Sequence, residues 1–252
     1  MRIVIVTDAW EPQVNGVVRT LQATIAELRA QGHTVEVISP DLFRSIPCPT
    51  YGEIRLALAG KRAVGRRIRA FGPQAIHIST EGPLGLAARR WCLDHDFPFT
   101  TAYHTRFPEY VAARLPVSPG RVWRFIRWFH RPARHIMVAT RSLQRELAAH
   151  GLDRTMLWER GVDPRLFRPD RAPHPLFAGI ARPIQLYVGR VAVEKNIAAF
   201  LATTQPGTRV VVGDGPAFAD LRMRHPEAVF LGKLSGEALA SAYAGADVFV
   251  FP

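Results

Sequence analysis

Short runs of β-branched and aliphatic residues alternate along this chain with segments of helical periodicity, and that alternation narrows the fold more than any other feature. Ile3-Val4-Ile5-Val6 reads as a buried strand, and the polar stretch from Thr7 to Gly16 reads as the loop that follows it. A helix is expected from about Val17, with Leu21, Ile25 and Leu28 on one face and a stop at Gly32. His33-Thr34-Val35-Glu36-Val37-Ile38 is the next strand. A βαβ opening of this kind predicts a parallel, doubly wound sheet, whose ligands bind beyond the carboxyl ends of its strands. Gly16 therefore falls where a ligand would approach. The loop lacks a G-x-G-x-x-G, which disfavours a nicotinamide site.

The alternation continues through a helix near 61–71, the strand Ala75-Ile76-His77-Ile78, a loop at Ser79-Thr80-Glu81-Gly82-Pro83 and a helix ending near Asp94. The strand Phe99-Thr100-Thr101-Ala102-Tyr103-His104-Thr105 then ends in a histidine, a position that suits either ligand contact or a structural hydrogen bond. Asp94-His95-Asp96 has the D-x-D form used by metal-dependent sugar transferases, but its place at a helix end makes it a solvated turn. Between Arg121 and Arg131, about 100° per residue gathers Arg121, Arg124, Arg127 and Arg131 on one side. Val122, Phe125, Ile126 and Phe129 form the opposite stripe, with Trp123 and Trp128 near its margins. Such a helix packs its stripe on a sheet or lies on anionic lipid, and both hold if the arginine side meets the membrane. A strand at Ile136-Met137-Val138-Ala139 and a helix near 142–150, with Ser142 as candidate cap, complete the series.

Residues 1–165 thus form a first α/β domain. Pro164, Pro169, Pro173, Pro175 and Pro183 interrupt a polar stretch, and 166–183 reads as a linker. From 184 to 252 a second βα series begins. Its opening stretch, Leu186-Tyr187-Val188-Gly189-Arg190-Val191-Ala192-Val193-Glu194-Lys195-Asn196, leaves a strand through glycine and enters a helix-compatible segment near Asn196. Glycine permits close approach to a ligand, a helix N-terminus attracts an anion, and Arg190 and Lys195 add two cations. A diphosphate fits this chemistry, against the plainer reading of a βα turn with solvated basic residues. Helices near 198–203, through Leu221 and near 236–245 are expected between strands at 209–212, 228–231 and 247–251, with Gly213-Asp214-Gly215-Pro216 after the second strand of this series.

A net charge of +12 calls for anionic partners: phosphorylated substrates, an acidic membrane surface or nucleic acid. No zinc-finger spacing or RNP-like strand is present, so nucleic acid is not expected. No apolar run reaches about eighteen residues, and the first strand is too short for a signal peptide. Cys48 and Cys92 make neither a metal spacing nor a disulfide framework, which favours the cytoplasm.

In order along the chain, these pieces resemble the family 4 glycosyltransferases of GT-B fold, which pair two Rossmann-like domains across a cleft. The stretches concerned are Thr7-Asp8 with Asn15-Gly16, Tyr103-His104-Thr105, Gly161-Val162-Asp163, Gly189-Arg190 to Glu194-Lys195-Asn196, Gly213-Asp214-Gly215-Pro216, and Ala246-Asp247-Val248-Phe249-Val250-Phe251-Pro252. Trp158-Glu159-Arg160-Gly161-Val162-Asp163 is most similar to the branch holding sulfoquinovosyl-diacylglycerol synthases and GDP-mannose-dependent mannosyltransferases. The resemblance implies a retaining transfer of a hexose from a nucleotide-diphosphate sugar, GDP-mannose or a UDP-sugar, to a lipid or glycan acceptor. It implies that Arg190, Lys195 and Gly16 hold the donor diphosphate and that His104 contacts the transferring sugar as the catalytic histidine. Gly189, Gly213 and Leu234 would line the donor pocket. No cofactor or metal is implied beyond the donor itself, and the enzyme would be cytoplasmic, peripheral on the inner membrane face.

The family's E-x7-E motif follows the strand that corresponds to Asp247–Phe251, and this sequence ends at Pro252. The second domain is therefore expected to be incomplete. A truncated, catalytically inactive remnant that binds phosphates or a partner is the alternative.

Overall fold

The first apolar run becomes the strand around which a parallel sheet is ordered. The computed structural model of the protein describes residues 1–13, 16–48, 51–104 and 118–252. They divide into two compact units, Met1–Arg160 and Gly161–Pro252. Asn15 and Thr105, both part of the family-like stretches, lie outside the described residues.

In the first unit, β1 (Arg2–Val6), α1 (Gly16–Ala30) and β2 (Thr34–Ile38) make the expected βαβ start. A hairpin follows, β3 (Ser45–Cys48) with β4 (Tyr51–Ala57), then α2 (Lys61–Phe71), β5 (Ala75–Ile78), α3 (Pro83–Asp94) and β6 (Phe99–Tyr103). After these come α4 (Pro119–His130), β7 (Ile136–Val138), α5 (Arg141–Ala149) and β8 (Thr155–Leu157). Among the described residues the main sheet has the order β2-β1-β5-β6-β7-β8, with every pairing parallel. The chain winds outward from β1 in both directions, so the switch point lies between β1 and β5.

Local chemistry sets the element ends. Gly32, with φ 81°, stops α1, and Gly72 stops α2 in the left-handed region, where a side chain would be strained. Pro83 and Pro119 open α3 and α4, where a missing N–H costs nothing. Thr140, not Ser142, caps α5: its hydroxyl accepts from Leu143 N at 3.2 Å. Thr140 has the extended backbone of a cap, whereas Ser142 already lies inside the helix.

Val4, Val6, Ile76 and Ile78 from the sheet pack with Val64 and Ile68 of α2 and Leu84 and Ala88 of α3. Leu21 and Ile25 of α1 pack with Ile5 and Val35. A fully buried aliphatic side chain of this kind contributes about 1.5–3 kcal/mol relative to exposure. On α4, Val122, Trp123, Ile126 and Phe129 are buried, while Arg121, Arg124 and Arg127 are exposed. The apolar stripe therefore packs on the protein and the arginines face outward. Trp128 is 53% exposed.

The second unit contains β9 (Ile184–Val188), α6 (Ile197–Leu201), β10 (Thr208–Val212), α7 (Phe218–Arg224), β11 (Val229–Gly232), α8 (Gly236–Gly245) and β12 (Val248–Phe249). Its sheet has the order β11-β10-β9-β12, all parallel among the described residues, with the switch point between β9 and β12. The stretch read as a linker contributes to this unit: Phe177 is buried with Ile184, Leu186 and Leu239, and Phe167 and Ile180 pack against that cluster. No described helix is long and apolar enough to cross a membrane.

Candidate functional site

Each sheet gathers polar and glycine residues at the carboxyl end of its switch point. In the first unit, β1 runs out into Asp8 and β5 into Thr80 and Glu81. The buried Asp8 carboxylate accepts from Thr80 Oγ1 at 2.8 Å, Leu84 N at 2.8 Å and Gly85 N at 3.3 Å. Burial raises its pKa, while those hydrogen bonds pull the other way. Asp8 is thereby committed to tying β1 to the start of α3. Gly82 is required beside it, because an added Cβ would lie 2.4 Å from the Asp8 carboxyl carbon.

His104 follows the last residue of β6. Its ring centroid lies 5.7 Å from that of Trp158, and His77 of β5 meets the same indole edge-on at 5.6 Å. His77 Nδ1 bonds Thr100 Oγ1 at 2.8 Å. The Nε2 atoms of both histidines are buried and find no hydrogen-bond partner among the described residues. Burial lowers the pKa of His104 to about 4, with Glu81 raising it and Arg160 lowering it further. Burial, with His104 second, takes His77 to about 3. Both rings are therefore neutral near pH 7, and each Nε2 is suited to hydrogen bonding rather than to carrying charge. Glu81 is held by His130 Nε2 at 3.2 Å, while His130 Nδ1 bonds Thr101 Oγ1 at 2.8 Å.

Gly16 is exposed at the first residue of α1, and an added Cβ there would lie 2.8 Å from Arg160 Nη1. A helix N-terminus and a guanidinium side by side form a favourable setting for an anion. Arg160, Glu81 and Trp158 did not emerge as site residues from sequence reasoning. Trp158 and Arg160 were visible only as family-like letters, because the short strand β8 that positions them was not foreseen.

In the second unit the turn after β9 is held from several sides. Gly189 N donates to Val212 O, Val191 N to Asp214 O, and the buried Tyr187 hydroxyl to Arg190 O at 3.0 Å. Gly213 has φ 141°, and its added Cβ would lie 1.8 Å from Gly189 O; a Cβ on Gly215 would lie 2.4 Å from Val191 O. These glycines let the turns after β9 and β10 pack backbone to backbone beside the switch point. Arg190 is exposed there, and Lys195 is half-buried with its Nζ 5.7 Å from the Phe251 ring centroid. Leu234 follows β11 and packs its side chain against the core.

A helix does start beside Asn196, which is the N-cap of α6, but α6 has only five residues. A single 3-10 turn spans Val193–Lys195 before it, and Asn196 takes a left-handed conformation (φ 50°, ψ 31°). So short a helix supplies little dipole, and the attraction for an anion rests on the two cations and the close backbone. Elsewhere, Asp94 pairs with Lys61 and Arg90, as a solvated turn should. Among the described residues, no three His, Cys, Asp or Glu side chains come together as a metal-binding group.

Two parallel α/β sheets with their glycines and charged groups at the carboxyl strand ends make up the architecture of the GT-B class of glycosyltransferases. The profile described as Glycosyltransferase Family 4 matches residues 14–166, and the chain belongs to that family. It is similar to a GDP-mannose-dependent alpha-mannosyltransferase of Mycolicibacterium smegmatis, 32% identical over 100% of this chain and 73% of that protein. A sulfoquinovosyl transferase of Arabidopsis thaliana is 31% identical over 95% of this chain and 52% of its own length. Among solved structures, a sucrose-phosphate synthase from Thermosynechococcus elongatus covers 99% of this chain and 75% of its own at a TM-score of 0.75 and 20% identity, a likeness of fold. The relatives are named as transferases, and by this kinship the chain is a glycosyltransferase.

Proposed function

We propose that the chain transfers a hexose, with retention of configuration, from a nucleotide-diphosphate sugar to a lipid or glycan acceptor. The observation that carries this reading is the interlocked glycine turn after β9, which offers Arg190 and Lys195 at the switch point of the second sheet. Names of relatives support the substrate classes: two are the GDP-mannose-dependent and sulfoquinovosyl transferases above. A third is an alpha-monoglucosyldiacylglycerol synthase of Streptococcus pneumoniae, 26% identical over 99% of this chain and 65% of that protein. GDP-mannose or a UDP-sugar is the donor in this reading.

Arg190 and Lys195 hold the diphosphate and stabilise the charge that grows on it as the bond to the anomeric carbon breaks. Gly189 and Gly213 let the ligand come close, and the Leu234 backbone meets the nucleotide base. In the first unit, Gly16 supplies helix N–H groups to phosphate oxygens. His104, being neutral, contacts the transferring sugar by a hydrogen bond from or to Nε2. The acceptor hydroxyl forms the new bond to the anomeric carbon and gives its proton to the departing diphosphate. The arginine side of α4 suits a peripheral position on anionic lipid at the cytoplasmic face of the membrane. Co-sedimentation with anionic against neutral vesicles checks this, and equal binding to both would sink it.

Calorimetry with GDP and UDP tests the donor site. A charge-assisted hydrogen bond to phosphate contributes about 1.5–3 kcal/mol. Arg190→Ala and Lys195→Ala should each weaken binding by roughly ten- to a hundredfold. Equal binding in all three proteins would make the turn ordinary surface. Binding without any sugar transfer from GDP-mannose or UDP-glucose would instead favour a non-catalytic phosphate-binding relative.

A further inference from the structure

One concentration of positive charge in the first unit lies away from its switch point. A concavity of about 770 Å³ is lined by Arg89, Arg124, Arg127, Arg131 and Arg154, with His150. Its walls are the carboxyl-terminal part of α4, the end of α5 and the residues entering β8. Residues 131–135 and 150–154 precede β7 and β8, so the pocket sits at the amino ends of those strands. Asp8, Thr80 and His104 follow the carboxyl ends of their own parallel strands and therefore mark the opposite edge of the sheet.

No carboxylate lines this pocket among the described residues; Asp153 lines the smaller adjoining cavity with Arg131 and Arg154. Arg124, Arg127, Arg131 and Arg154 take part in none of the described ion pairs. Arg89 forms the floor and is 7% exposed. It donates to the carbonyls of Phe129 at 2.9 Å and Trp128 at 2.6 Å, and its guanidinium lies 3.9 Å over the Trp128 ring. These partners are neutral, so a buried cation remains without a counter-charge, and burial together with Arg90 lowers its pKa. The ends of α4 and α5 offset part of this. Two helix C-termini supply about one negative charge between them, against five guanidinium groups. What remains is a deficit of negative charge in a preformed concavity, and arginine forks match phosphate oxygens.

We propose that this pocket is a phosphate-binding site, which takes a phosphate ester at the edge of the first sheet opposite its ligand-facing strand ends. The ester belongs either to a lipid headgroup or to a soluble phosphate compound, and the recognition chemistry is the same. The site is separate from the Arg190 turn and does not depend on the transferase reading.

The test uses the full chain with two double variants: Arg131→Gln with Arg154→Gln in the pocket, and Arg141→Gln with Arg145→Gln on the outer face of α5. All four side chains are exposed, and both doubles remove the same charge. One arm titrates inorganic phosphate and glycerol 3-phosphate by calorimetry at low salt. The other sediments the protein with phosphatidylcholine vesicles, with and without phosphatidic acid. Binding of the soluble probes that falls about tenfold or more in the pocket variant, but not in the α5 variant, supports the site with a soluble ligand. Binding to phosphatidic acid vesicles alone, with the same dependence on the variants, supports it with a lipid headgroup. The proposal is overturned if no probe binds. It is equally overturned if the two doubles lose binding alike, or if the pocket variant binds as the parent does, as phosphate held at the Arg190 turn would.

Discussion

His104 and His77 show how burial, ahead of any neighbouring charge, sets the state of a residue at a strand end. Each imidazole ordinarily titrates near 6.5, and burial brings His104 to about 4 and His77 to about 3. Between those values and 6.5 the unfolded chain binds more protons than the native one, so stability rises with pH across that window. The full contribution is present above about pH 6.5 and is lost as pH falls toward 4. In a series of denaturant midpoints from neutral to acid pH, His104→Gln should therefore show a shallower loss than the parent. Asp8, whose raised pKa works in the opposite sense, is common to both proteins and drops out of the difference. Identical slopes would mean that His104 is already solvated enough to be charged in the native state. Glu81 and Arg160, which adjust the value of His104, and Trp158, which packs against both rings, lie far from His104 in sequence. That is why the sequence marks the histidine itself and not its surroundings.

The cap of α5 gives the same lesson one level up. Thr140 is the residue whose extended backbone and hydroxyl meet Leu143 N, whereas Ser142 is helical and its hydroxyl only touches Thr140 Oγ1 at 2.9 Å. Thr140→Ala should cost about 1 kcal/mol in equilibrium unfolding, and Ser142→Ala a few tenths. A reversed order would return the cap to Ser142. Helices and strands with clean periodicity were legible: β1, α1, β5, β9 and β10 lie within a residue or so of where the pattern puts them. The β3–β4 hairpin was not, because Pro47 in its first strand and Gly52 in its second are residues that normally argue against a strand. β8 has three residues, too few for an alternation to register. The helix start beside Asn196 is legible, whereas its brevity is not. Asn is one of the few residues that settles in the left-handed region, and there it divides the segment into a 3-10 turn and a five-residue helix.

At the scale of the whole molecule, two properties oppose each other: a net charge of +12 and an apolar edge on the second sheet. β12 pairs with β9, in the register Val248↔Gln185 and Phe249↔Leu186, and no strand pairs with its other side among the described residues. Val248, Phe249 and Phe251 are 48%, 51% and 67% exposed. Phe249 lies 5.6 Å from the Tyr243 ring and 6.4 Å from Phe251, which makes the exposed aromatics one contiguous group. An edge strand carrying such a patch is a surface on which a second chain can pair. Like charge keeps copies apart while it is unscreened, and screening shortens its reach from roughly 10 Å at 0.1 M salt to roughly 3 Å at 1 M. The apolar attraction does not weaken over that range. Self-association should therefore increase with salt, the reverse of what an interface built on ion pairs would do. Sedimentation velocity at about 0.1 M and about 1 M sodium chloride reads this directly. Phe249→Ser leaves the net charge unchanged and removes the central ring of the patch, so the variant should stay dissociated in high salt. Association of the parent that fades as salt rises, or that persists undiminished in Phe249→Ser, would assign the contact to charged surface elsewhere and free the β12 edge of any role in it.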